Sequence, residues 1–271
     1  MPELPEIETI RRGLEPHLLG RCFQSIEIRQ PRLRWPVSEE LAKRLPGAPI
    51  AGLKRRGKYL LLETESGTLI IHLGMSGSLR LVPCELPLRP HDHAAFTLDT
   101  GQRLIYHDPR RFGALVWTAD PWAAHPLLRH LGVEPFDPLF TGGLLYRISR
   151  GHRQTVKSLV MDQRIVVGIG NIYANEALFR AGIHPARQAG QITKMRYQKL
   201  VESIRHTLAS AIDRGGTTLR DFSDITGQPG YFQLALQVYA REEQPCPLCA
   251  TPIRRIVLGQ RATYYCPRCQ K

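Results

Sequence analysis

With 37 Lys and Arg against 24 Asp and Glu, this 271-residue chain carries a formal net charge of +13 and a pI near 9.8. That balance points to a polyanionic partner, because a basic surface gains affinity by neutralising phosphate and releasing counterions. No apolar run approaches the roughly 18–20 residues that span a bilayer, and no N-terminal stretch joins a basic region to an apolar run and a cleavage site. Neither a membrane anchor nor a secretion signal is therefore expected.

The length points to about two domains. Ile7, Ile10, Leu14 and Leu18 recur at helical spacing, with Pro5 suited to the first turn and Gly20 to the stop. Pro16 predicts a kink or an early end. From Cys22 to Trp117 short apolar segments alternate with turn signals: Tyr59–Glu63 and Thr68–Leu73 flank Ser66-Gly67, and Phe96–Leu98 and Arg103–Tyr106 flank Thr100-Gly101. The pattern predicts an antiparallel sandwich or barrel. Pro121 to Pro138 reads as a linker. Helices are then predicted around Leu144, Leu145 and Ile148, over Thr155–Met161, over Ile172–Ala181 stopping at Gly182, and over Tyr197–Ile212. Gly168, Gly170 and Asn171 form a tight turn opening the third of these, with its N–H groups toward an anion. The glycine-rich stretch from Gly215 to Gly230 reads as a long, mobile loop.

The chain closes on Cys246/Cys249 and Cys266/Cys269, two C-x2-C pairs separated by sixteen residues. That is the spacing of a four-thiolate zinc site, in which two knuckles present sulfurs to one tetrahedral ion. Between the pairs, Ile253–Ile256 and Ala262–Tyr265 read as short strands around Gly259-Gln260. Arg241, Arg254, Arg255, Arg261, Arg268 and Lys271 outweigh Glu242 and Glu243 in this segment, a surface suited to phosphate. Cys22 and Cys84 stand far apart and suggest no disulfide framework, so a reducing cytosol is expected.

At the other end the chain reads MPELPE. Once Met1 is removed, Pro2 is a terminal secondary amine, able to attack a sugar aldehyde carbon and form an iminium ion. Glu3 beside it is placed for general acid/base work.

MPELPEIETIRRGL, HLGMSGSL (72–79), HDPRRFG (107–113), VVGIGNIYANEALFRAGIHP (166–185), GGTTLRDF (215–222), GYF (230–232) and the cysteine quartet with QRATYYCPRCQK occur in that order. Together they resemble the formamidopyrimidine-DNA glycosylase family over essentially the whole chain. The resemblance implies an α+β multidomain protein: an N-terminal β-sandwich with a leading helix (1–134), a helix–two-turns–helix domain (135–236) and a C-terminal zinc-ribbon hairpin (237–271). It also implies one structural Zn2+, damaged double-stranded DNA as partner, monomeric action, and a bacterial cytoplasmic setting with association to the nucleoid through DNA. The expected activity is excision of oxidised purines (8-oxoguanine opposite cytosine and formamidopyrimidines), followed by β,δ-elimination at the abasic site.

Residue by residue, the resemblance makes Pro2 the Schiff-base nucleophile and Glu3 its acid/base partner. Lys58 becomes a proton donor in β-elimination, and Arg261 an aid to δ-elimination. Met75, Arg111 and Phe112 resemble the residues that fill the duplex when the lesion is flipped out, as base chemistry requires. The side-chain types suit that role, since Met fills irregular space, an aromatic wedges between base steps, and Arg bonds the orphaned base. DNA-backbone contacts are expected from His91, Arg110, Lys157 and Asn171. Arg150-Gly151-His152-Arg153 replaces a lysine run of some relatives, which assigns the phosphate contact there to His152 or Arg153. The loop over 217–239 corresponds to the region that closes on the flipped base. Two other readings remain: an endonuclease VIII-like enzyme for oxidised pyrimidines, and a zinc-dependent DNA-binding protein without catalysis.

Overall fold

The structure is a computed structural model that describes residues 2–215 and 236–271. The loop expected over 217–239 lies largely outside the described residues, as do GYF and all of GGTTLRDF but Gly215. The chain divides into two compact units, residues 2–130 and residues 131–214 with 236–271.

The first unit begins with α1 (Leu4–Leu18), followed by β1 (Phe23–Ile28), α2 (Glu39–Arg44), β2 (Ile50–Arg56), β3 (Tyr59–Thr64) and β4 (Gly67–His72). It continues through β5 (Ser78–Pro83), β6 (Asp92–Leu98), β7 (Gln102–His107) and β8 (Ala114–Thr118). The strands form two antiparallel four-stranded sheets, ordered β1-β6-β7-β5 and β2-β3-β4-β8. Residues two apart on a strand share a face. Accordingly Leu60, Leu62, Leu69 and Ile71 of one sheet share a core with Phe96, Leu98 and Leu104 of the other, and Ile7, Leu14 and Leu18 of α1 join it. Of the two all-β options, this is the sandwich. Helix α1 does not end early at Pro16. Pro16 sits in the last turn, where the helix loses one hydrogen bond to the carbonyl of exposed Arg12, while fully buried Leu14 and Leu18 hold that turn to the core.

The second unit holds α3 (Gly142–Ser149), α4 (Val156–Met161), α5 (Asn171–Ala181), α6 (Lys194–Asp213) and the hairpin β9 (Arg254–Leu258) and β10 (Arg261–Tyr265). Thr141, Thr155 and Thr193 cap α3, α4 and α6, each accepting the backbone N–H three residues on. Helix α5 starts at Gly170 and stops at Gly182, whose left-handed backbone (φ 69°) ends it. Strand β9 runs two residues past the predicted end, because Gly259 and Gln260 both adopt positive φ. This two-residue turn lets Leu258 pair with Arg261. The hairpin packs on α5 through a small core of Phe179, Val238, Cys246, Ile253 and Cys266.

Candidate active site and nucleic-acid interface

Pro2 and Glu3 are both buried just ahead of α1, Glu3 being 2 % exposed. Glu3 is the N-cap, and the Glu6 carboxylate accepts its backbone N–H at 2.8 Å in a capping-box arrangement that fixes the start of the chain. Lys58 sits in the two-residue turn between β2 and β3. It is only 7 % exposed, unlike an ordinary turn lysine. Its charge is felt by His72, the last residue of β4.

His72 was not singled out from sequence, although it opens HLGMSGSL. Its Nδ1 accepts the Gly74 N–H at 3.1 Å, and its ring lies 4.8 Å from that of Tyr59. Burial, then the Lys58 and Arg34 charges, hold its pKa down to about 4. With Nδ1 accepting, the neutral ring carries its proton on Nε2. Unfolded histidine protonates near pH 6.5, before the folded residue does, so this group leaves stability unchanged above about pH 7. As pH falls from about 6.5 to about 4 it removes about 3 kcal/mol. His72→Gln is expected to flatten that part of the stability profile, read by urea unfolding at pH 7.5 and 4.5. An equal acid loss in both proteins would refute the assignment.

The residues expected to fill the duplex come together. Met75 and Phe112 are 38 % and 42 % exposed, large apolar side chains held out toward solvent. Their loops touch: a Cβ on Gly74 (φ 61°) would strike the Phe112 backbone at 2.5 Å, so only glycine allows the approach. Arg111 is exposed and held in left-handed backbone (φ 56°), a strained conformation that re-aims its side chain. Arg110 places its guanidinium 4.7 Å from the Phe112 ring centroid, a cation–π contact that steadies the exposed ring. One buried residue ties these loops, and sequence reasoning passed over it inside HDPRRFG. The Asp108 carboxylate accepts from Ser76 Oγ (3.1 Å), Gly113 N–H (2.8 Å) and Tyr106 OH (3.3 Å). His91 is exposed with φ 68°, and its carbonyl accepts the Asp108 N–H at 3.1 Å.

In the second unit His152 and Arg153 are exposed between α3 and α4. Lys157 differs. It is 2 % exposed, and its ammonium donates to Asn171 Oδ1 (2.6 Å), Thr263 Oγ1 (2.6 Å) and the Ala262 carbonyl (3.3 Å). Half-buried Asn171 also donates to the Ala262 carbonyl at 3.0 Å. Arg261 stands exposed as the first residue of β10.

The four cysteines converge, with all four sulfurs within 4.8 Å of one another and the pairs Cys246–Cys269 and Cys249–Cys266 at 3.9 and 3.5 Å. A tetrahedron with Zn–S near 2.3 Å has edges of about 3.8 Å. Burial, then the neighbouring thiols, push Cys269 up to about 12, whereas hydrogen bonds with Thr251 pull Cys249 down to about 6. Four thiolates this close need a cation between them, and the set fits one structural Zn2+. Four protein ligands leave no open position for water.

Three family models cover most of the chain: the formamidopyrimidine-DNA glycosylase N-terminal domain over residues 1–115, the H2TH domain of the same glycosylase over 131–223, and a zinc finger found in FPG and IleRS over 243–271. The chain is 56 % identical to the formamidopyrimidine-DNA glycosylase of Methylococcus capsulatus and 55 % to that of Syntrophotalea carbinolica, over all 271 residues and the full length of each. Among solved structures it is similar to the MutM (Fpg) protein of Thermus thermophilus, with TM-score 0.89 and 40 % identity, covering 99 % of this chain and 98 % of that one. It is likewise similar to Lactococcus lactis Fpg (MutM) in complex with DNA containing N7-benzyl-Fapy-dG, with TM-score 0.91, 36 % identity and full coverage of both chains. The chain belongs to the formamidopyrimidine-DNA glycosylase family.

Proposed function

We propose that the protein is a bifunctional base-excision repair enzyme, which removes oxidised purines from duplex DNA and then nicks the abasic site. The observation that carries this reading is the likeness along the whole chain to relatives named for formamidopyrimidine-DNA glycosylase activity. In it the Pro2 amine, freed by loss of Met1, attacks C1′ of a flipped nucleotide. The damaged base departs with the electrons of the C1′–N bond and takes a proton; the proline nitrogen, having lost its own proton, then expels O4′, which is protonated as the sugar ring opens, and an iminium forms. The iminium acidifies C2′; loss of that proton expels the 3′ phosphate, and a second deprotonation, at C4′, expels the 5′ phosphate. Glu3 and Lys58 move protons. Arg261 assists the second elimination by binding phosphate.

Met75, Arg111 and Phe112 occupy the space the lesion leaves. His91, Arg110, His152, Arg153 and Asn171 meet the DNA backbone, with Lys157 acting beside Asn171. Residues 1–134 carry Pro2, Glu3 and Lys58, 135–236 the helical DNA-binding element, and 237–271 the zinc hairpin with Arg261. Among the described residues no helix is long and apolar enough to cross a membrane, and the protein works in the cytoplasm, drawn to the nucleoid by its charge.

Borohydride is expected to trap a covalent complex between the protein and a duplex with 8-oxoguanine opposite cytosine. No trapped band from protein lacking Met1 would sink the reading. A Lactococcus lactis relative was crystallised with DNA containing an oxidised pyrimidine, so a thymine-glycol duplex belongs in the same experiment as a second substrate class.

A further inference from the structure

Strand β10 has one edge paired to β9 and a second edge facing α5. In a two-residue hairpin closed by Leu258 and Arg261, alternate residues of β10 bond inward, which leaves the N–H and C=O groups of Ala262 and Tyr264 on the outer edge. An outer edge needs partners. Here two asparagines supply partners for the Tyr264 N–H and the Ala262 carbonyl. Asn175 Oδ1 accepts the Tyr264 N–H at 2.7 Å, and Asn171 Nδ2 donates to the Ala262 carbonyl at 3.0 Å. Residues four apart share a helix face and rise about 6 Å. Two strand residues advance about 6.8 Å. The asparagine pair therefore matches the repeat of a strand edge and stands where a third strand would.

The match is tightened from both sides. Asn175 is fully buried, and its amide donates to the Asn171 carbonyl at 2.6 Å, so its rotamer is set and its oxygen must face β10. Lys157 braces Asn171 and reaches Thr263 Oγ1. One residue after Asn175, the Glu176 carboxylate gathers the N–H groups of Gln237, Val238 and Tyr239 at 2.9, 3.0 and 2.9 Å, holding the chain as it enters the zinc segment. A slip of β10 by one residue would present Thr263 where Tyr264 stands and leave Asn175 and Lys157 without their buried partners.

We propose that Asn175, braced by Asn171 and Lys157, is a positioning residue that sets the register of β10 on α5 and so the placement of Arg261 for the second elimination. The functional half of this proposal rests on the repair reading above. Zinc closes the base of the hairpin; the asparagine edge locates its arginine-bearing end.

The test uses the full-length zinc-loaded protein and two substitutions. Asn175→Leu keeps roughly the same bulk and removes the side-chain hydrogen bonds to Asn171 and Tyr264; Asn175→Asp keeps an acceptor for the Tyr264 N–H. For the leucine variant, amide exchange at Tyr264 is expected to accelerate about tenfold, the size of one lost buried hydrogen bond. The proportion of β,δ-product to β-product on an abasic duplex should fall several-fold, while zinc content and borohydride trapping through Pro2 stay at the wild-type level. The aspartate variant should recover much of both readouts. An unchanged product proportion despite faster exchange would overturn the positioning role, and so would a parallel fall in trapping and δ-elimination. A wild-type protein that traps nothing removes the repair reading instead. Unchanged Tyr264 exchange in Asn175→Leu removes the clamp whether or not the enzyme is active.

Discussion

Protein whose Pro2 nitrogen is acylated, by a retained Met1 or by a short N-terminal extension, is expected to lose borohydride trapping by on the order of 10³-fold or more, because the covalent route is lost outright. An amide nitrogen has no available lone pair for C1′. Pro2 and Glu3 are both buried, Glu3 being 2 % exposed, and Glu6 fixes the Glu3 backbone at 2.8 Å. A lysine from the surface would have to enter an already packed region. DNA affinity, which depends on the dispersed +13 charge, should change by less than about threefold, with its salt dependence intact. Mass spectrometry of the N-terminus with a trapping gel on the same preparation tests this, and full trapping by acylated protein would move the nucleophile elsewhere.

Asp108→Ala is expected to be the most damaging single change among the residues that never meet DNA. It removes the acceptor of Gly113 N–H and Ser76 Oγ, at 2.8 and 3.1 Å, and one of the two acceptors of Tyr106 OH, which keeps the His72 carbonyl at 3.3 Å. Tyr106 is pushed well up in pKa by burial and then by Asp108, so its hydroxyl stays a donor throughout the working pH range. Stranding the buried Gly113 N–H and releasing two loops should cost about 3 kcal/mol, with Asp108→Asn costing about half as much. In thermal unfolding that amounts to roughly 10 °C. The same change frees the Met75 loop from the Arg111–Phe112 loop. Single-turnover excision of 8-oxoguanine is expected to fall about tenfold to a hundredfold even well below the new melting temperature, because an ångström of misplacement carries that cost. Lower stability with unchanged excision would show that the tie serves folding alone.

Arg111 adds a reason to expect this sensitivity. Its left-handed backbone is kept by surrounding contacts, including its own N–H to the Asp108 carbonyl at 3.1 Å. Loosening Asp108 should let that residue relax and move its guanidinium from the position proposed to meet an unpaired base.

Much of this molecule was legible in its sequence wherever the determining contacts are local. The period of Ile7, Ile10, Leu14 and Leu18 located α1, the Gly259-Gln260 pair located the turn of the zinc hairpin, and the cysteine spacing predicted a four-sulfur site that the structure closes. Motif likeness carried the family, because long ordered motifs hold more information than charge or periodicity. Tertiary structure alone decided the rest. Asp108 meets Ser76 across 32 positions, and Lys157 meets Thr263 across 106, so no local pattern marks either pair. The family resemblance puts Lys157 on the DNA backbone. In the fold its ammonium is enclosed by three acceptors, and a buried charge is stable only with such partners. Asn171 and Asn175 lie four apart within NIYANE, a spacing visible in the chain. That the spacing completes a strand edge became apparent only once β10 lay beside it, because an unpaired edge is created by folding and has no signature in the residues that satisfy it.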